Sequence, residues 1–431
     1  MISPSTRDAA GGSGAGSGDR GARPSDAPAL PRRRPRRGAA GTRARSFAPL
    51  ARLLAAALFV CVAGGQAPGA APFVSAAPYA IVVDHTTETV LLEKNADVPT
   101  PPASLAKLMT VAVTFDEIAS GQLTLDTTFT VSERAWREGG APSGGSTMFL
   151  PIDAQVSVAE LLRGIIVQSG NDACIVIAEG IAGSVEAFVD LMNRKARELG
   201  LTGSHFANPH GLPHPDQKVT MRDLARLAGR LIARHPDLYA LFAETEYTYN
   251  KVQQRNRNRL LGSVPGADGL KTGHTQESGY GIVASALRDG RRITVAITGL
   301  TSSRRRDREA RKLIELGFRG FEVRTLFDPG ETIATVSVYG GEQGRVPLVA
   351  QQAVRVTLAK GSASRLDAKV FYRGPVEAPV ADGAAIGTLR IAADGRPLRD
   401  VPLYAANAVA PGSLPSRAWD AAADLVLRHL W

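Results

Sequence analysis

The strongest constraint on how this chain can fold is a hydrophobic period that changes twice. Tyr79–Asp84 and Thr89–Glu93 are short β-branched runs separated by the polar His85 to Glu88, which predicts a hairpin. Between residues 155 and 240 the period is helical: Val158–Val167, Asp172–Ile181, Val185–Leu199 and Met221–Ile232 place apolar residues three and four apart. Strand character returns in Gly269–Thr272, Tyr280–Ala286 and Ile293–Leu300, the last two joined by Arg288-Asp-Gly-Arg291, a hairpin signal. Arg306–Gly317 reads as a closing helix. Strands at both ends with helices inserted between them predict an α/β domain over residues 78–321, its mainly antiparallel sheet assembled from distant parts of the chain.

Past this segment the pattern alternates, as in Thr332–Val338, Ala353–Leu358 and Ile386–Ile391, which predicts a small all-β domain over 322–410. Residues 411–431 read as an amphipathic helix, with Trp419, Ala422, Ala423, Val426, Leu427 and Leu430 on one side and Arg417, Asp420, Asp424 and Arg428 on the other. Its apolar face suits a membrane surface or the β domain.

The net charge of +10 is concentrated at the N-terminus, where residues 1–52 hold eleven arginines against three aspartates. That stretch lacks the apolar content to order itself, and no aromatics interleave its arginines as stacking on nucleic-acid bases would require. The apolar run Leu53–Val62 behind it, closing into small residues, reads as a secretory signal peptide, with an uncleaved anchor as the alternative. Residues 1–77 are therefore expected to be a disordered basic extension plus signal peptide, with the true start of the protein nearer Arg43. Cys61 would leave with it, so Cys174 remains without an internal disulfide partner.

Three short motifs carry chemistry. Ser104-Leu-Ala-Lys107 follows Pro101-Pro102, where a helix is expected to begin, so the lysine amine shares a face with the serine hydroxyl and can activate it once its pKa is lowered. Leu105, Leu108, Met109 and Ala112 form the expected buried stripe, with Ser104, Lys107 and Val111 facing elsewhere. Ser169-Gly-Asn171 falls in a helix-to-helix turn, where serine and asparagine can both project into a cleft. Lys271-Thr272-Gly273 ends a short strand suited to binding a carboxylate-ended peptide, with Gly273 allowing close approach. Singly, each has a bland explanation as a surface coincidence, an N-cap or a strand end. Together and in this order they form the signature shared by penicillin-binding proteins and class A β-lactamases.

The chain resembles the low-molecular-mass penicillin-binding proteins of the D-Ala-D-Ala carboxypeptidase type. Besides the trio, the similar segments include Asn95-Ala-Asp97, Met148-Phe-Leu150, Leu162-Arg-Gly-Ile165, Gln168–Cys174, His210-Gly-Leu212, Asn256-Arg-Asn258 and Gly269–Thr275. The resemblance implies a serine β-lactamase/transpeptidase-like domain in which Ser104 forms an acyl-enzyme, Lys107 is its base and Ser169 relays a proton. It also implies that Asn171 holds the substrate backbone, that Lys271 and Thr272, helped by Arg257, bind the terminal carboxylate beside Gly273, and that the backbone N–H groups of Ser104 and His274 form an oxyanion hole. The implied substrate is the peptidoglycan stem pentapeptide ending in D-Ala-D-Ala, β-lactam antibiotics are the implied covalent inhibitors, and no cofactor is implied. The implied location is the periplasm or cell envelope, peripheral on the outer face of the cytoplasmic membrane.

A class A β-lactamase would need a deacylating glutamate in an E-x-x-L-N pattern between the second and third motifs, and there is none. His205, His210 and His214 are crowded enough to suggest zinc, but their spacing is loop-like and lacks H-E-x-x-H. A D,D-endopeptidase acting on cross-linked peptide and a noncatalytic wall-binding protein remain as alternatives.

Overall fold

The computed structural model describes residues 74–415 except residue 363. The basic extension, the apolar run at 53–62 and nearly all of the C-terminal helix lie outside the described residues. Among the described residues no helix is long and apolar enough to cross a membrane.

Five strands form the central sheet: β1 (Tyr79–Asp84), β2 (Thr89–Lys94), β3 (Ala267–Thr275), β4 (Gly279–Arg288) and β5 (Arg291–Leu300). Their order is β2-β1-β5-β4-β3, with every neighbouring pair antiparallel. The first two strands thus pair with the last three across the helical insertion, as the change of period predicts. The β4–β5 turn is tight because Asp289 and Gly290 both take positive φ, 49° and 74°, the geometry that matches strand twist in a two-residue hairpin.

The strand side chains alternate between two cores. On one face Val82, Ile282, Ala284, Ile293, Val295 and Ile297 pack with Ala310, Leu313 and Ile314 of a closing helix, Ser303–Arg319. On the other, Ile81, Leu270, Val283 and Ala296 meet the helical insertion. Its helices are α1 (Lys107–Ala119), α2 (Val158–Arg163), α3 (Asn171–Ala182), α4 (Val185–Glu198) and α5 (Met221–Arg234). Ser157, Ser184 and Thr220 cap α2, α4 and α5, each accepting a backbone N–H three residues on.

Two expectations need correction here. The segment after Pro101-Pro102 does not enter an α-helix directly: Ala103–Ala106 is a 3-10 turn and α1 begins at Lys107. Nor is α1 amphipathic, because it runs through the centre of the insertion and Lys107 and Val111 are as buried as Leu108 and Met109. A central helix has no solvent face to leave polar.

Beyond Gly320 the chain passes straight into strand Phe321–Phe327, and the β region that follows holds a six-stranded sheet and a two-stranded one around their own core of Val336, Val338, Val346, Leu348, Val356, Leu389 and Leu403. The three alternating runs read from sequence are Thr332–Tyr339, Val354–Ala359 and Ala385–Ala393. Buried Asp84 joins the two regions by accepting from Arg291 Nε at 2.7 Å and from Thr357 Oγ1 at 3.0 Å, while Thr357 Oγ1 also lies 2.6 Å from Thr87 Oγ1.

Candidate active site

Ser104 sits on the 3-10 turn, where residues three apart eclipse one another, so Lys107 Nζ lies 3.1 Å from Ser104 Oγ. Two glycines from remote segments fix this turn. Gly273 of β3 passes so close that a Cβ there would meet Pro102 O at 3.1 Å and Leu105 N at 3.2 Å. Gly211, at φ +86°, packs against the same turn, and a Cβ on it would fall 1.8 Å from Ala103 O. The close approach expected of Gly273 is therefore made to the serine's own turn.

Lys107 is fully buried. Its Nζ reaches Asn171 Oδ1 at 2.8 Å and the carbonyl of His210 as well as Ser104 Oγ. The two carbonyl oxygens can only accept, which uses two N–H bonds and leaves the third position toward a hydroxyl that can donate. A neutral amine, with two N–H bonds and one lone pair aimed at Ser104, satisfies this arrangement. Burial, reinforced by the cationic Arg257, pushes the Lys107 pKa down to about 8, while Asp172 acts in the opposite direction.

Ser169 ends a π-helical turn (Gly164–Gln168) in the left-handed conformation, φ 70°. Its Oγ is buried without a hydrogen-bond partner. Asn171 opens α3, and the pair stand on the helix-to-helix turn read from sequence. What holds that turn was not singled out there. Asp172 is buried and accepts from Thr147 Oγ1 and from the backbone N–H groups of Met148, Leu150 and Ala173, at 2.5 to 3.2 Å. Asn171 N also donates to Ser146 O at 2.7 Å. Met148-Phe-Leu150 and Asp172 are both within the segments quoted for the family resemblance, which was the available signal.

Lys271 and Thr272 lie on β3, the edge strand, but both are buried. Burial, with Lys107 and Arg257 nearby, drives the Lys271 pKa well below the usual lysine value. A carboxylate arriving beside it would favour its charged form. Arg257 reaches across to Ser146 Oγ at 2.8 Å, and the exposed His274 ring stacks on Tyr280 at 3.8 Å. Ser104, Ser146, Arg257, Thr272, Gly273 and His274 line one cleft of about 670 Å³. A cavity of similar volume between α5 and the β1–β2 turn contains none of the motif residues. The three crowded histidines do not converge: His210 and His214 each accept a backbone N–H two residues on, and His205 lies against Asn193.

An antiparallel sheet with an inserted helical block, carrying a serine and a buried amine beside a cation-lined cleft, is the architecture of the penicillin-binding proteins. The solved penicillin-binding protein 5 from Haemophilus influenzae is 35% identical, with a TM-score of 0.72 over 79% of this chain and 100% of that one. Penicillin-binding protein D2 from Listeria monocytogenes, solved in an ampicillin-bound form, is 28% identical with a TM-score of 0.50, covering 57% and 99%. Residues 66–301 match the family described as D-alanyl-D-alanine carboxypeptidase, and residues 321–411 match the C-terminal domain of penicillin-binding protein 5. D-alanyl-D-alanine carboxypeptidase DacC of Escherichia coli (strain K12) is 41% identical over 81% of this chain and 88% of its own. The chain belongs to the D-alanyl-D-alanine carboxypeptidase family of low-molecular-mass penicillin-binding proteins.

Proposed function

We propose that this protein is a serine-type D-Ala-D-Ala carboxypeptidase that removes the terminal D-alanine from peptidoglycan pentapeptide. The observation that carries this reading is the buried Lys107 amine, whose pKa of about 8 and hydrogen-bond geometry make it a base for Ser104. Ser104 Oγ attacks the carbonyl of the D-Ala-D-Ala amide as Lys107 takes its proton. The oxyanion faces the backbone N–H groups of Ser104 and His274. Ser169, whose hydroxyl has no protein partner, gives its proton to the leaving amine and takes back the one held by Lys107, the C–N bond breaks and D-alanine departs. Asn171 holds the donor backbone, and Lys271, Thr272 and Arg257 hold the terminal carboxylate. Water then attacks the ester, releasing the shortened peptide and returning Ser104 Oγ–H.

A β-lactam presents its strained amide to the same serine, so a fluorescent penicillin should label the protein and Ser104→Ala should abolish the label without altering the fold. Undiminished labelling of that variant would overturn the mechanism. D-alanine release from a pentapeptide distinguishes a carboxypeptidase from an inert wall-binding protein.

The reading extends to location: export to the cell envelope on the apolar run at 53–62, and peripheral attachment to the outer face of the cytoplasmic membrane through the C-terminal amphipathic segment. Deleting residues 414–431 should shift the protein from the membrane to the soluble fraction. Unchanged membrane association would refute that attachment.

A further inference from the structure

The cleft beside Ser104 is larger and more cationic than release of one D-alanine requires. At about 670 Å³ it falls in the range that encloses a drug-sized ligand. Arg255, Arg257, Arg259 and Arg306 line it, and no aspartate or glutamate does. Two of these arginines are already engaged: Arg257 bonds Ser146 Oγ, and Arg306 is neutralised by Asp307 at 2.7 Å. The other two are held weakly or not at all. The nearest carboxylate to Arg255 is that of Glu246 at 4.0 Å, and its side chain is 83% exposed. Arg259 forms no ion pair among the described residues. Arg255 ends the short strand Val252–Arg255, and Arg257 and Arg259 follow in the bend and turn after it, so all three guanidiniums belong to one stretch of the cleft lining.

The direction of the cleft says which part of a substrate meets them. Thr272, Gly273 and His274 form its wall, whereas Asn171, assigned to the donor backbone, does not line it. The spare arginines thus face the leaving group.

We propose that Arg255 and Arg259 form a second anionic subsite on the leaving-group side, which takes an additional carboxylate carried by the departing residue or peptide. This rests on the carboxypeptidase reading and adds no chemical step to it: the same C–N bond breaks, and the leaving amine simply carries an acidic rather than a methyl side chain. Leaving groups larger than D-alanine that carry a second carboxylate are the class this subsite accommodates.

The test uses three donors built on Nα,Nε-diacetyl-L-lysyl-D-alanine, ending in D-alanine, D-glutamate or its neutral isostere D-glutamine. At low ionic strength the wild-type protein should prefer the D-glutamate donor over the D-glutamine donor by roughly threefold to tenfold in kcat/KM, the scale of two exposed ion pairs. The preference should reside in KM. It should fall to parity in the Arg255→Gln/Arg259→Gln double variant and weaken with added salt. Both side chains are on the surface, and penicillin labelling of the double variant reports an intact Ser104 site. Normal D-alanine release with equal rates on the two longer donors, or a preference unaltered in the double variant, would overturn the subsite alone. Failure of the wild type to release D-alanine would overturn the carboxypeptidase reading and the subsite with it.

Discussion

Replacing Asp172 by asparagine tests how the wall bearing Ser169 and Asn171 is held. The carboxylate receives three backbone N–H bonds and one hydroxyl, all from buried groups. An amide has one oxygen, so in either orientation its NH2 faces donors that lose their acceptor. Hydrogen bonds to a charged group are worth about 1.5–3 kcal/mol each, and losing two predicts about 3–6 kcal/mol of destabilisation. For a domain of this size that is a fall in melting temperature of about 6–24 °C. The charge has a separate consequence. Asp172 raises the pKa of Lys107 from across the site, so its removal should lower that pKa below about 8. With Lys107 as the proposed base, the pH profile of acylation should then move toward lower pH. Thermal melting followed by circular dichroism reads the first effect, and the rate of fluorescent-penicillin acylation against pH reads the second. A melting temperature within about 2 °C of wild type, together with an acylation profile that stays put or moves upward, would refute the reasoning.

In the unaltered protein, acylation should rise with pH and level off above about 8, as Lys107 loses its proton; a rate that declines through this range would contradict the assignment of Lys107 as base. Gly211→Ala should place a methyl against Ala103 O at a backbone angle that disfavours side chains, displacing the serine turn and slowing acylation by about 100-fold. Unchanged labelling kinetics would show that the turn is not held by that contact.

Much of the catalytic region was legible because its periodicities are strong and its chemistry uses residues that elsewhere would be solvated. Gly269–Thr272 and Tyr280–Ala286 each mark a true strand, read short at both ends. The burial of α1 was not legible, since lysine at 107 and threonines at 110 and 114 look like a polar face until the surrounding helices are in place. Asp172 was unread for a similar reason: an acidic residue at a helix start has a sufficient local explanation, and the Thr147 hydroxyl and the Met148 and Leu150 N–H groups that donate to it lie 22 to 25 residues earlier. In the β region, Arg396–Ala405 carries two prolines and several charges yet forms a strand, because its pairing with Ala385–Ala393 supplies the ladder that its composition does not advertise.

The turn bearing Ser104 is positioned by Gly211 and Gly273, each more than a hundred residues further along the chain. A nascent or partly folded chain would therefore contain the serine and lysine three residues apart but neither the dry pocket that lowers the amine's pKa nor the backbone pressed against the turn. Its nucleophile stays chemically silent until β3 has paired into the sheet. Reactivity toward a penicillin is thus a report on completion of the whole domain, and an acyl adduct counts molecules that have finished folding.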